Sequence, residues 1–270
     1  MASDASAQQL SNLFDAGSLH EKARKLAALG QYVAAEATYK KAVEKRQQAA
    51  GAEDAAAALT MTDLAGMYCT IKRYAEADEL LGKALAIVEK AYYADHAHVA
   101  TVLMQSVRSL VGQGKYAEAE PVAKRVTEIN GKTLSGEHRQ TLDAIRVLAQ
   151  IYMQIEKPGD AEALLSKAMK NVDTPLGPAG YFQYDLARAF QAQGKKDEAD
   201  KAYNLAASWL EQRVRYNILA DCLTDYAQLL KETGRASESA AQESRAKIFR
   251  GFGPDREEQA SVLPSTLLRA

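Results

Sequence analysis

Small and bulky apolar side chains recur along this chain in a fixed register. The words QYVAAE, RYAEAD and KYAEAE begin at Gln31, Arg73 and Lys115, 42 residues apart. The small residue near the end of each word is an anchor that recurs six times, as Ala35, Ala77, Ala119, Ala161, Ala199 and Ser239. Seven residues later stand Ala42, Ala84, Val126, Ala168, Ala206 and Ala246. Twelve residues before the anchor stand Ala23, Ala65, Val107, Ala149, Ala187 and Ala227; nine before it stand Leu26, Tyr68, Leu110, Tyr152, Phe190 and Leu230. Positions three, four and seven apart share one helix face. The two earlier columns therefore predict the apolar stripe of a first helix, and the two later columns that of a second. Gly30, Gly114, Gly194 and Gly234 punctuate four copies between the helices, where Lys72 and Glu156 stand in the other two. Glycine suits a tight helix-to-helix turn because it tolerates positive φ.

Each copy is thus a helical hairpin whose small columns let two antiparallel backbones approach. The Leu/Tyr/Phe column fills the gap above them. A bulky side chain at Ala119 should overpack its hairpin at a cost of roughly 1–3 kcal/mol. One hairpin buries too little apolar surface to stand alone, so stacking must supply the core. At Gly114-Lys-Tyr116-Ala-Glu-Ala119, with Val107, Leu110 and Val126 around it, the chain resembles the tetratricopeptide repeat family. The period of 42, and GKYAEAEPVAKRV followed by SGEH, are most similar to the kinesin-light-chain type. The resemblance covers residues 16–249 and implies an all-α fold: a right-handed superhelical solenoid of about six antiparallel helix pairs. Ala55, Ala97 and Arg139 occupy a loop slot where that family usually has proline, and Lys157-Pro158-Gly159 replaces the fourth Gly-x-Tyr turn. In the stretch VDTPLGPAGY, residues 172–181, two prolines force a non-helical crossing, where a break or change of angle is expected. Residues 1–15 read as an N-terminal cap or arm. Residues 250–270 read as a tail or cap, with Val262, Leu263, Leu267 and Leu268 able to dock on this solenoid or a neighbour's.

The resemblance implies that first helices line a concave wall and that function belongs to residues pointing from it. Eleven before the anchor stand Arg24, Gly66, Arg108, Gln150, Arg188 and Gln228; fifteen before it stand His20, Thr62, Met104, Arg146, Tyr184 and Thr224. The two columns lie four apart and share a face. Arg24, Met104, Arg108, Arg146, Gln150, Tyr184, Arg188 and Gln228 are accordingly the candidate peptide-binding residues. Arginine clamps carboxylates and glutamine pairs with a peptide backbone. Fourteen before the anchor, Glu21, Asp63, Gln105, Asp185 and Asp225 make the wall mixed in sign. The expectation is a non-enzymatic adaptor or scaffold binding a peptide segment of another protein. Two alternatives are a regulator whose solenoid closes on a small peptide or ligand, and a structural module that self-associates, for instance through its C-terminal tail.

Composition narrows this reading. With 34 basic and 35 acidic side chains the chain lacks the basic excess of a general nucleic-acid binder. No stretch approaches the roughly 18 apolar residues of a membrane span, and the first residues, ASDASAQQLSNLF, lack a signal-peptide pattern. A cytoplasmic location is expected. Cys69 and Cys222 are the only cysteines, so no disulfide framework is implied. His96 and His98 are too few and too closely spaced for a tetrahedral metal. With Asp54 and His138 a repeat away on either side, His96 reads as a helix cap. There is no phosphate-binding Gly-x-x-x-x-Gly-Lys and no carboxylate set beside a histidine for acid–base work. No cofactor, no metal and no catalysis are expected.

Overall fold

A computed structural model describes residues 2–134, 136, 138–170, 179–212 and 216–252. The proline-containing crossing at 172–178 and the leucine-bearing tail at 253–270 lie outside the described residues. Among those described there are twelve α-helices and no strand: α1 Ala2–Ala28, α2 Tyr32–Ala50, α3 Ala55–Thr70, α4 Tyr74–Ala91, α5 Ala97–Gly112 and α6 Tyr116–Thr133; then α7 Arg139–Gln154, α8 Pro158–Met169, α9 Ala179–Ala192, α10 Lys196–Gln212, α11 Tyr216–Glu232 and α12 Ala236–Arg250. Odd and even helices pair into six hairpins. The chain forms two compact units, Met1–Thr133 and Leu134–Ala270, each holding three hairpins. α1 starts at Ala2, so the residues read as an N-terminal cap are the first half of that helix.

The hairpins close as their columns require. The six anchors are exposed by no more than 1%. Ala23, Ala65, Val107, Ala149, Ala187 and Ala227 are buried against them. In the last hairpin the contact is a hydrogen bond, Ser239 Oγ donating to the Ala227 carbonyl over 2.9 Å. Where a methyl would pack in the other copies, the hydroxyl needs that acceptor.

One turn geometry serves all six hairpins. The amide of Gln31, Arg73, Lys115, Lys157, Lys195 or Arg235 donates to the carbonyl of the Leu/Tyr/Phe column five residues back, at 2.8–3.0 Å. This six-to-one bond closes a Schellman motif, which needs a left-handed residue just before the donor. Gly30, Gly114, Gly194 and Gly234 supply it with φ from 74 to 77°, while Lys72 and Glu156 adopt φ 61 and 59°. A side chain in that region costs about 1–2 kcal/mol. That the backbone holds it there shows how firmly the stacked hairpins dictate the turn.

Between hairpins the expected caps are present. The Ala57 amide donates to Asp54 Oδ2 at 2.8 Å, the His98 amide to His96 Nδ1 at 3.1 Å and the Gln140 amide to His138 Nδ1 at 3.3 Å. Each satisfies one orphan amide at a helix start.

Candidate functional site

In the unit 134–270, the candidate wall residues form rungs between successive first helices. Arg146 on α7 places Nε 2.8 Å from Asp185 Oδ2 on α9, and Gln150 Nε2 lies 3.5 Å from the other oxygen. The Arg146 guanidinium also lies 4.6 Å above the Tyr181 ring. The pair is closed to water, the two side chains being 7% and 5% exposed. One hairpin on, Tyr184 donates its hydroxyl to Asp225 Oδ2 on α11 at 2.6 Å, and Arg188 Nε approaches the same oxygen at 3.7 Å. Burial, with the Asp225 charge beside it, pushes the Tyr184 phenol well above its ordinary value, so it stays a donor. Arg146, Gln150, Tyr184 and Arg188 therefore all point along the stack, each meeting an acid in the next copy. Gln228 is exposed and donates to Glu232 on its own helix at 3.0 Å.

In the unit 1–133 a histidine makes such a rung. His20 on α1 sits between Thr60 Oγ1 and Asp63 Oδ2 of α3, at 2.9 Å from each. Arg24 stays outside it, 59% exposed and paired only loosely with Glu21 over 3.3 Å. The third copy departs from the rule: Gln105 stands where Asp63, Asp185 and Asp225 stand elsewhere, and its buried Oε1 has no hydrogen-bond partner. Gly66 of α3 faces that amide so closely that a Cβ would lie 3.2 Å from Oε1. Met104 and Arg108 flank it, half-buried. Here a neutral side chain and a glycine replace the charged rung.

A second ladder runs between hairpins at the turns. At three positions the residue four before the anchor meets the acid following the previous anchor: Arg73 to Glu36 at 2.5 Å, Lys195 to Glu162 at 2.6 Å and Arg235 to Asp200 at 2.6 Å. Hydrogen bonds from Arg73 and Lys40 hold the Glu36 carboxyl at about 2. Sequence reading missed both ladders. The signal was present in the column fourteen before the anchor, at Asp63, Asp185 and Asp225, but displaced by a whole copy from the side chains those acids meet.

The Cys69 thiol is pushed up to about 11 by burial, and burial also holds the Cys222 thiol well above its ordinary value. Neither is poised as a nucleophile. His96 stacks on Tyr92 with ring centroids 4.2 Å apart, and His98 meets the same ring edge-on at 5.1 Å. Among the described residues no group of three or more His, Cys, Asp or Glu is arranged to hold a metal ion. No described helix is long and apolar enough to cross a membrane. A recess of about 370 Å³ opens between α2 and α4, floored by Met61, Leu64 and Tyr68 of α3 and rimmed by Lys40, Glu44 and Glu79.

Residues 14–90 match the family described as Tetratricopeptide repeat. The stacked hairpins found in both units have the fold of such repeats. Among solved structures it is similar to the putative kinesin light chain nearly identical TPR-like repeats of Podosopora anserina, at 26% identity, with a TM-score of 0.66 over 73% of this chain and 95% of that one. BtubC (BKLC) from P. vanneervenii is similar in fold over 94% of this chain and 97% of that one, at 16% identity and a TM-score of 0.64. YrrB, a TPR protein with an unusual peptide-binding site, is similar over 82% of this chain and 95% of that one, at 15% identity and a TM-score of 0.51. No curated protein sequence matches the chain. Folds of this kind are typical of protein–protein interaction scaffolds.

Proposed function

We propose that the chain is a non-enzymatic interaction scaffold that takes an extended peptide segment of a partner protein on its first-helix wall. The observation that carries this is the third copy. Where other copies fill the wall with an arginine–carboxylate or tyrosine–carboxylate rung, Gln105 and Gly66 leave Met104 and Arg108 half-exposed between α3 and α5. A guanidinium beside a thioether fits a segment that offers a carboxylate next to an apolar side chain. Arg24, exposed on α1 of the same unit, provides a further polar contact, and Gln228, exposed on α11, is a polar position on the wall of the other unit. Arg146, Gln150, Tyr184 and Arg188 have a different part in this reading: they hold α7, α9 and α11 in register. YrrB's reported peptide-binding site gives the reading a precedent within the same fold.

The test is a random peptide library displayed on phage and selected on the whole chain, followed by photo-crosslinking of the enriched peptide. A photoreactive side chain at Met104 is expected to capture that peptide. The same group at Gly82, exposed on α4, is not. Capture at Gly82 alone, or no enriched peptide, contradicts the proposal.

A further inference from the structure

Within each unit a stacked hairpin has a side turned to its predecessor, and the hydrogen bonds above mark which residues occupy it. Asp63, Asp185 and Asp225 each receive a rung from the previous first helix. Gln113 and Gln193, six before their anchors, reach Asp78 and Glu162 of the previous second helix. Arg73, Lys195 and Arg235 do the same from the turn. In the first hairpin these positions are Glu21, Leu29 and Gln31, with Phe14 and Leu10 seven and eleven residues before Glu21 on the same helix face. The apolar ones are strongly exposed: Leu10 by 67%, Phe14 by 80% and Leu29 by 72%. The neighbouring face of α2 presents Ala34 and Ala37, also exposed, where the next copy has Glu76 and Glu79. The side that binds a predecessor elsewhere thus exposes large apolar side chains here, beside the charged Glu21, Lys22 and Lys25.

From this we infer that the exposed side of the first hairpin is a self-association surface, and that its occupant is a second copy of this chain packed face to face about a two-fold axis. Three observations select that occupant. The surface continues an interface already built inside the chain, so it has the shape to receive helices. Head-to-tail stacking is disfavoured, because its ladder is missing at both ends: Gln31 replaces the turn cation, and Ala240 stands where the acid following the last anchor would be. A two-fold contact instead meets like with like, which the exposed apolar side chains Leu10, Phe14 and Leu29 accept. Size agrees as well. Two helices about 10 Å wide, in contact over about 30 Å, cover about 600 Å² per copy, at the lower end of specific interfaces. A reversible dimer with micromolar dissociation is the result.

The test is sedimentation equilibrium of the whole chain from about 1 to 200 μM, with Phe14→Glu/Leu29→Glu as the interface variant. Both side chains are exposed, so the fold tolerates the change, and an unaltered melting curve at low concentration confirms it. The wild type is expected to reach the mass of two copies, while the variant associates at least about 100-fold more weakly. Ile248→Glu, 60% exposed on α12, is expected to dimerise as the wild type does, as is a chain ending at Phe252. A wild type that remains monomeric, a double variant that still dimerises, mass growing past two copies, or loss of the dimer in either control each overturns the inference.

Discussion

Replacing Asp185 by alanine tests the rung between α7 and α9 and, with it, the physical reading of the wall. The carboxylate accepts from Arg146 at 2.8 Å and lies 3.5 Å from the Gln150 amide nitrogen. Its loss strands a guanidinium that is only 7% exposed. Stranding one partner of a buried pair costs about 3–5 kcal/mol. The Tyr181 ring, 4.6 Å from the Arg146 guanidinium, remains and returns about 1 kcal/mol of cation–π attraction. About 3 kcal/mol is therefore expected for Asp185→Ala. Removing both charges, as Arg146→Leu with Asp185→Ala, strands no charge and should cost about 1 kcal/mol, mostly the unpaired Gln150 amide. The coupling in the double-mutant cycle is then about 2 kcal/mol or more. Urea unfolding followed by fluorescence reads this in the right place, because Trp209 is the chain's one tryptophan and lies on α10. A loss below about 1 kcal/mol for Asp185→Ala, or a double variant as unstable as the sum of the singles, refutes the reasoning.

Other predictions concern the turns and the second ladder. Glu36 has its carboxyl lowered from 4.5 to about 2 by Arg73 and Lys40. A depressed acid contributes stability that is whole above 4.5 and disappears as pH falls through about 2. Far-UV dichroism of urea unfolding across that window should show a smaller acid loss for Glu36→Gln than for the wild type; parallel profiles refute the ladder's share. Glu156→Gly relieves a left-handed side chain at φ 59° and should stabilise by about 0.5–1 kcal/mol after glycine's own entropic cost. Trp209 fluorescence in urea measures it, and a net loss contradicts the strain argument.

The hairpins were legible because their columns are local. A small anchor, its partner seven on and its counterpart twelve back are fixed by helix geometry within a single copy, so Ala119, Val107 and Val126 could be placed before any coordinates. The turn was legible for the same reason, since a glycine before a polar residue already specifies a Schellman closure. The cap series Asp54, His96 and His138 also needed only its spacing. The wall was less legible. Arg146 and Asp185 are 39 residues apart, and whether they touch depends on the angle at which one hairpin lies on the next. Helical periodicity within a copy carries no information on that angle. Reading each column alone left the arginines with no intrachain acceptor in view. The acid beside them belonged to the following copy. Phe14 and Leu10 escaped notice for a related reason: an end face is defined only by what the inner hairpins do with the same positions.

A single titration goes furthest toward deciding what the wall is for. A peptide selected from a random displayed library is titrated calorimetrically into the wild type, into Arg108→Glu and into Lys83→Glu, the last an exposed change on α4. The account predicts that Arg108→Glu weakens binding at least tenfold, or about 1.4 kcal/mol, while Lys83→Glu binds as the wild type does. Equal affinity for the wild type and Arg108→Glu, or a loss confined to Lys83→Glu, contradicts it.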